Sequence, residues 1–192
     1  MYIRLPAIAG RSIPWLCFPY FSIRILHLPQ RPSALTFLTK TFSALLPTWL
    51  KPCDAAPGVV LAANQVGILK RIIVIDVTDD KTGLRVLCNP EIIEASEELQ
   101  DHEEGCLSLK GLYEHVKRPA HVRVRAQDAT GKEIELDCTG LLAVCVQHEM
   151  DHLDGIVFID HLSMLKKQRA CTKLRKLRRE EREKEKEKAA RR

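Results

Sequence analysis

Ile72 to Val77 is a β-branched apolar run interrupted only by Asp76, and it reads as a buried strand. Arg85 to Cys88 and Ile92 to Glu94 flank an Asn-Pro corner and read as two further strand pieces. Val122 to Arg125 alternates apolar and basic residues with period two, as a half-buried strand does. Gly131 marks a turn, and Ile134 to Leu136 returns as its hairpin partner. Then the period changes. Leu141, Leu142, Val144, Cys145 and Val146 predict a helix from Gly140 to about Leu153, apolar on most sides and therefore central. Thr139 is placed to N-cap it, and Gly155 lies just past its end. Ser163 is placed to start a last helix whose tail mixes Glu and Lys. Strands first, then a buried helix, then a tail helix is an α+β order.

Composition narrows the class without deciding it. A chain of 192 residues, 45% hydrophobic and 29% charged, has room for one domain with a real core. It has no apolar run long enough to span a bilayer. The charge is segregated: from Lys166 onward there are 14 Lys/Arg against 5 Asp/Glu, and before it 16 against 20. A mildly acidic body therefore carries a basic tail, which reads either as a solvated helix or as a contact for a polyanion. Seven cysteines with no CxxC pair argue against a disulfide framework and for a reducing compartment.

The chemistry lies in His148-Glu149-Met150-Asp151-His152, on the predicted central helix. Residues four apart share a helix face, so His148 and His152 can hold one metal ion, with Glu149 beside them to handle the proton of a water. Burying two histidines and a glutamate without partners would be costly, which favours a real site. The third ligand is not downstream. Phe158 stands where a metzincin would place its third histidine, and the only later glutamates lie in the charged tail. That leaves Glu104-Gly105-Cys106-Leu107-Ser108, with Cys106 as a thiolate ligand. A thiolate is oxidisable, so loss of activity in air is expected. His102, His115, His121 and His161 read as surface or satisfied histidines, and Arg118 as structural.

Gly58-Val59-Val60-Leu61-Ala62-Ala63-Asn64-Gln65, then the stretch from Glu104 to Ser108, then His148 to His152, resemble the three signature motifs of the peptide deformylases. The resemblance covers roughly Ala55 to the C-terminal helix. It implies a peptide-deformylase-like α+β fold, with antiparallel or mixed sheets around the HExxH helix and a C-terminal helix. It implies a metal-dependent hydrolase that removes the N-formyl group from nascent polypeptides and releases formate. One divalent ion is implied, ferrous iron first, with zinc, nickel or cobalt as substitutes. Cys106, His148 and His152 would hold it, and Glu149 would be the general base. The Gln65 side-chain amide and the Leu107 backbone N–H would donate to the oxyanion. Gly58, Val60 and Gly105 would line the substrate path. Docking on the ribosome through Lys166 to Arg182 is implied as well. We expect a monomer with no membrane contact, in a bacterial cytoplasm or alternatively a mitochondrion or plastid. Two other functions remain open: a zinc metallopeptidase of another kind, and a catalytically impaired deformylase-like protein that binds ribosomes.

Two residues depart from the family pattern. Val60 stands where a second glycine is usual, and a β-branched side chain does not replace a glycine that needs positive φ or close backbone approach. Lys110 stands where proline is frequent.

The chain divides into an atypical segment 1–53, a catalytic region 54–165 and a charged tail 166–192. The first segment has no Asp or Glu, seven prolines and both tryptophans. Ile25 to Pro29 resembles the family's opening strand and turn, but the acidic helix expected next is missing. One reading is a frameshift from about Gln30 to Cys53. Trp49 to Cys53 can be encoded so that a reading frame starting one base earlier gives Met-Ala-Glu-Thr-Met. The other reading is an organelle-targeting segment, which the acid-free, Arg-bearing composition suits and the prolines oppose. Resequencing decides: if no single-base shift restores an acidic helix, the first reading fails.

Overall fold

The computed structural model describes residues 59–66, 68–80 and 82–191. The expectations for segment 1–53 fall outside those residues, as does Gly58. The described elements are β1 (Val59–Ala62), β2 (Ile72–Asp76), β3 (Arg85–Ala95), β4 (Leu99–Gly105), β5 (Tyr113–Pro119), β6 (His121–Gln127), β7 (Glu133–Thr139), α1 (Gly140–Leu153) and α2 (Met164–Ala190). Short 3-10 turns lie at Ala63–Val66, Leu107–Leu109 and Phe158–His161. One sheet runs in the order β1-β2-β3-β6-β7, and β4-β5 form a separate two-stranded ribbon. The strand pairings are antiparallel throughout.

The predicted strands are present, with one correction. The two pieces expected around the Asn-Pro corner are a single strand, β3. Asn89 takes a positive φ of 49°, and the register against β6 shifts between Cys88 and Glu91. A bulge admits the prolyl nitrogen, which has no hydrogen to donate, without ending the strand. In β6, Val122, Val124 and Ala126 are buried while Arg123 and Arg125 face out to cross-strand acids. β4 and β5 were not foreseen. In β4 only Glu104 is buried, so its sequence carries no apolar alternation.

α1 has the predicted bounds. Ala143, Val146, Met150 and Leu153 lie on one face and pack against Ala62, Ile73, Ile75, Leu87, Val122, Val124, Ala126 and Cys138 of the sheet. Thr139 occupies the N-cap position, but its side chain makes no capping bond. The C-terminal end is closed by backbone: Ile156 N–H donates to Asp151 O at 2.8 Å, and Gly155 N–H to His152 O at 3.1 Å. Gly155 has φ +77°, the left-handed residue that this double closure requires.

A second core lies on the other side of the site. Ala170, Cys171 and Leu174 of α2 bury against Leu109, Leu112, Val116, Val157, Phe158 and Ile159. Burying a side chain such as Phe158 contributes about 1.5–3 kcal/mol. Among the described residues, no helix is long and apolar enough to cross a membrane.

Candidate metal centre

The α1 face turned away from the sheet core carries His148, Glu149 and His152, all buried. The His148 and His152 rings meet edge to face, with centroids 4.8 Å apart. Phe158 stacks on His148 from the second core. Cys106 follows β4 in extended conformation and begins the turn Leu107–Leu109, where Ser108 N–H donates to its Sγ. Its Sγ lies 3.2 Å from His152 Nε2. One ligand atom from each of Cys106, His148 and His152 falls within 4.8 Å of the others. The structure thus brings together the three residues that the sequence singled out as ligands.

Burial alone would raise the Cys106 thiol, but hydrogen bonds from His148 and His152 outweigh it and bring the group down to about 5. Burial alone would lower His148, but its bonds to Cys106 and Glu104 push it up to about 10. Burial raises Glu149 to about 7, partly opposed by His152 and His148. Its Oε2 is buried without a hydrogen-bond partner among the described residues.

A chain of polar contacts not foreseen from the sequence supports His148. Its Nδ1 lies 2.8 Å from Glu104 Oε2, so an ionised Glu104 holds a proton on Nδ1 and leaves Nε2 as the nitrogen that could bind an ion. Arg118 Nε donates to Glu104 Oε1 at 2.5 Å and Nη2 to Oε2 at 3.0 Å. Arg118 Nη1 donates to Asp151 Oδ2 at 2.8 Å, which also meets His161 Nε2 at 2.6 Å. Arg118 is structural, as the sequence suggested, and what it holds in place is Glu104, the partner of His148. One signal was present: Arg118 follows Val116 by two, and in a strand both face the same side.

Gln65 accepts from Ala62 N–H at 2.9 Å through Oε1, which turns its Nε2 toward Ser108 Oγ at 3.2 Å and Cys106 Sγ at 3.8 Å. The Leu107 side chain is exposed at the edge of the site. Gly105 faces Tyr113, whose ring lies 2.6 Å from where a Cβ would stand, so a larger residue here would displace the ring. Val60 pairs with Ile75 in regular strand and packs against the sheet core. No positive φ is required of it. Lys110 has φ −48° and ψ 132°, a backbone that proline also adopts. Both departures therefore sit in conformations that their residues accept.

The model of the polypeptide deformylase family matches residues 22–168. The chain belongs to the polypeptide deformylase family. It is 58% identical over 125 residues to Peptide deformylase 1 of Burkholderia multivorans, covering 65% of this chain and 69% of that one. With the peptide deformylase of Cellvibrio japonicus it shares 44% identity over 164 residues, 85% of this chain and 94% of the relative. A crystal structure of a peptide deformylase from Legionella pneumophila superposes with TM-score 0.70 at 37% identity, covering 90% of this chain and 98% of that one. A deformylase from Synechococcus elongatus, solved in complex with actinonin, gives TM-score 0.69 at 36% identity. The α+β fold expected of a deformylase is thus the fold observed.

Deformylases are metal-dependent hydrolases, and this chain's residues fit a divalent ion. A depressed thiol and two imidazoles converge, one imidazole is oriented by Glu104, and beside them stands a carboxylate with one oxygen unpartnered among the described residues.

Proposed function

We infer that the chain hydrolyses the N-formyl group from the N-terminal formyl-methionine of nascent polypeptides, giving formate and a free amine. The observation that carries this reading is the buried Glu149 carboxylate, without a partner at Oε2 among the described residues, next to three convergent ligand atoms. In our reading Cys106, His148 and His152 hold one divalent ion, ferrous iron first, with zinc, nickel or cobalt as substitutes. Such an ion polarises the formyl oxygen and lowers the pKa of water from 15.7 toward about 7.

The remaining work belongs to side chains. Glu149 accepts the water proton and delivers it to the amine nitrogen as the carbon–nitrogen bond breaks. The Gln65 amide and the Leu107 N–H donate to the oxygen that gains charge, and removing one such donor typically costs about 2.7–4 kcal/mol of barrier. The Gln65 orientation supports this role, because Ala62 holds the acceptor end away and leaves the donor end facing Cys106. Gly105, and Val60 through its backbone, would lie along the bound peptide. The basic stretch Lys166 to Arg182 would dock the monomer on ribosomal phosphates, and such binding weakens steeply with salt.

The test is formate release from a formyl-Met peptide by anaerobically metallated protein. Release that disappears in Glu149→Gln at equal metal content supports the reading. No release from the fully loaded chain, together with salt-sensitive ribosome binding, would leave the impaired binder instead.

A further inference from the structure

We propose that Asn64 is a positioning residue that ties the Gln65 segment to the end of the ligand helix. This rests on the deformylase reading of Gln65 given above. Asn64 and Gln65 are neighbours in the turn Ala63–Val66. The Asn64 Nδ2 donates to the backbone carbonyl of His152, 88 residues away. That carbonyl also accepts from Gly155 N–H at 3.1 Å, so both of its lone pairs are used. Because a carbonyl only accepts, the orientation of the Asn64 amide is settled.

A second tether lies further along the same segment. Arg71 Nη1 donates to Asp154 Oδ1 at 2.5 Å, and Asp154 is the residue that ends α1. Between the two, Ile68 N–H donates to Ala63 O at 3.0 Å and closes the loop on itself. The chain is thus strapped to the C-terminal end of α1 at two points, Asn64 and Arg71. Gln65 lies inside this strap, reaching from it to Ser108 and Cys106.

One detail separates positioning from plain stability. The other end of the amide, Asn64 Oδ1, is buried with no hydrogen-bond partner among the described residues. A buried acceptor without a donor costs stability, and an apolar residue of similar size would avoid that cost. What the amide supplies instead is a fixed distance between the oxyanion donor and His152. Positional errors of about 1 Å can cost on the order of 100-fold in rate, so such a link has consequences beyond its own strength.

A double-mutant cycle tests this. Asn64→Ala, Gln65→Ala and the double variant are compared at matched metal content, with Asn64→Asp as a second variant that keeps the shape and removes the donor. Asn64→Ala is expected to lower kcat by roughly 10-fold or more with KM changed by less than about threefold. In the Gln65→Ala background the same change is expected to alter kcat by less than about twofold. The visible absorption of the cobalt-substituted protein is expected to match the unmutated chain. Equal losses in both backgrounds would overturn the proposal, as would a shift of the cobalt bands, which would place the effect on His152. If Asn64→Ala does not fold, Asn64→Asp carries the same cycle. An unmutated chain that releases no formate, or a Gln65→Ala variant with full kcat, defeats the deformylase reading itself and the proposal with it.

Discussion

Arg118 grips Glu104 at two points, and Glu104 passes that constraint to His148 through its Nδ1. The Arg118 and Glu104 side chains are 5% and 3% exposed, so neither charge has water to fall back on. Arg118→Met would leave Glu104 and Asp151 facing each other without their common cation. Breaking a buried pair by removing one partner typically costs about 3–5 kcal/mol, and losing a group that orients a ligand costs about 10–100-fold in metal affinity. Urea unfolding and competitive metal titration read the two effects separately. Unchanged values in both would show that the contact orients nothing.

The same network sets how the fold responds to acid. Burial alone would raise Glu104 and Asp151, but His148 and Arg118 outweigh it at Glu104, and His161 and Arg118 outweigh it at Asp151. Both carboxyls therefore titrate below their ordinary range in the folded chain. A depressed carboxyl contributes stability that is fully present above the unfolded values of about 3.9–4.3 and is lost as pH falls through the folded ones. Between about pH 5 and about pH 3, the unmutated chain is expected to lose more stability than the Glu104→Gln/Asp151→Asn double variant. Denaturant midpoints across that window check it, and parallel curves would refute it.

Without metal, Cys106 is expected to react as a thiolate. It lies near 5, whereas burial pushes Cys88 and Cys145 up to about 12 and Cys138 to about 11. Iodoacetamide at about pH 6–7 should label Cys106 in the stripped protein, leave those three untouched, and fail at Cys106 once metal is restored. Peptide mapping by mass spectrometry distinguishes the sites. Labelling of Cys106 that is indifferent to added metal would remove it from the ligand set.

Glu149→Gln preserves shape and removes the proposed base. The rate is expected to fall by about 100- to 10,000-fold, with metal content retained. A rate within tenfold of the unmutated chain would mean that the proton goes elsewhere.

How far the site was legible depended on the kind of signal each residue leaves. His148, Glu149 and His152 share one helix, so their spacing alone put them on one face. Cys106 was reachable by eliminating downstream ligands. Glu104 and Arg118 were not, because their partnership depends on the register of β4 against β5, and β4 shows only one buried residue to announce that it is a strand. Asn64 was quoted within a motif, yet its partner is a backbone carbonyl, which leaves no trace in residue identity. The strands of the large sheet were legible because β2 is wholly buried and β6 alternates. The Asn-Pro corner misled because proline suggests a break where a bulge sufficed.

The two hydrophobic cores described above meet at the centre and at the polar contacts that join β4 and β5 to α1, Glu104 with His148 and Arg118 with Asp151. His148 and His152 ride on the helix seated on the large sheet, while Cys106 packs against the second core of β5 and α2. An ion shared by these residues is therefore a crosslink between two halves, as well as a reagent. Stripping it should release the β4-β5 ribbon before the sheet, so amide exchange would quicken there first. A chelated chain would then stay folded, its two halves joined by Arg118 with Asp151 and Glu104 with His148 alone.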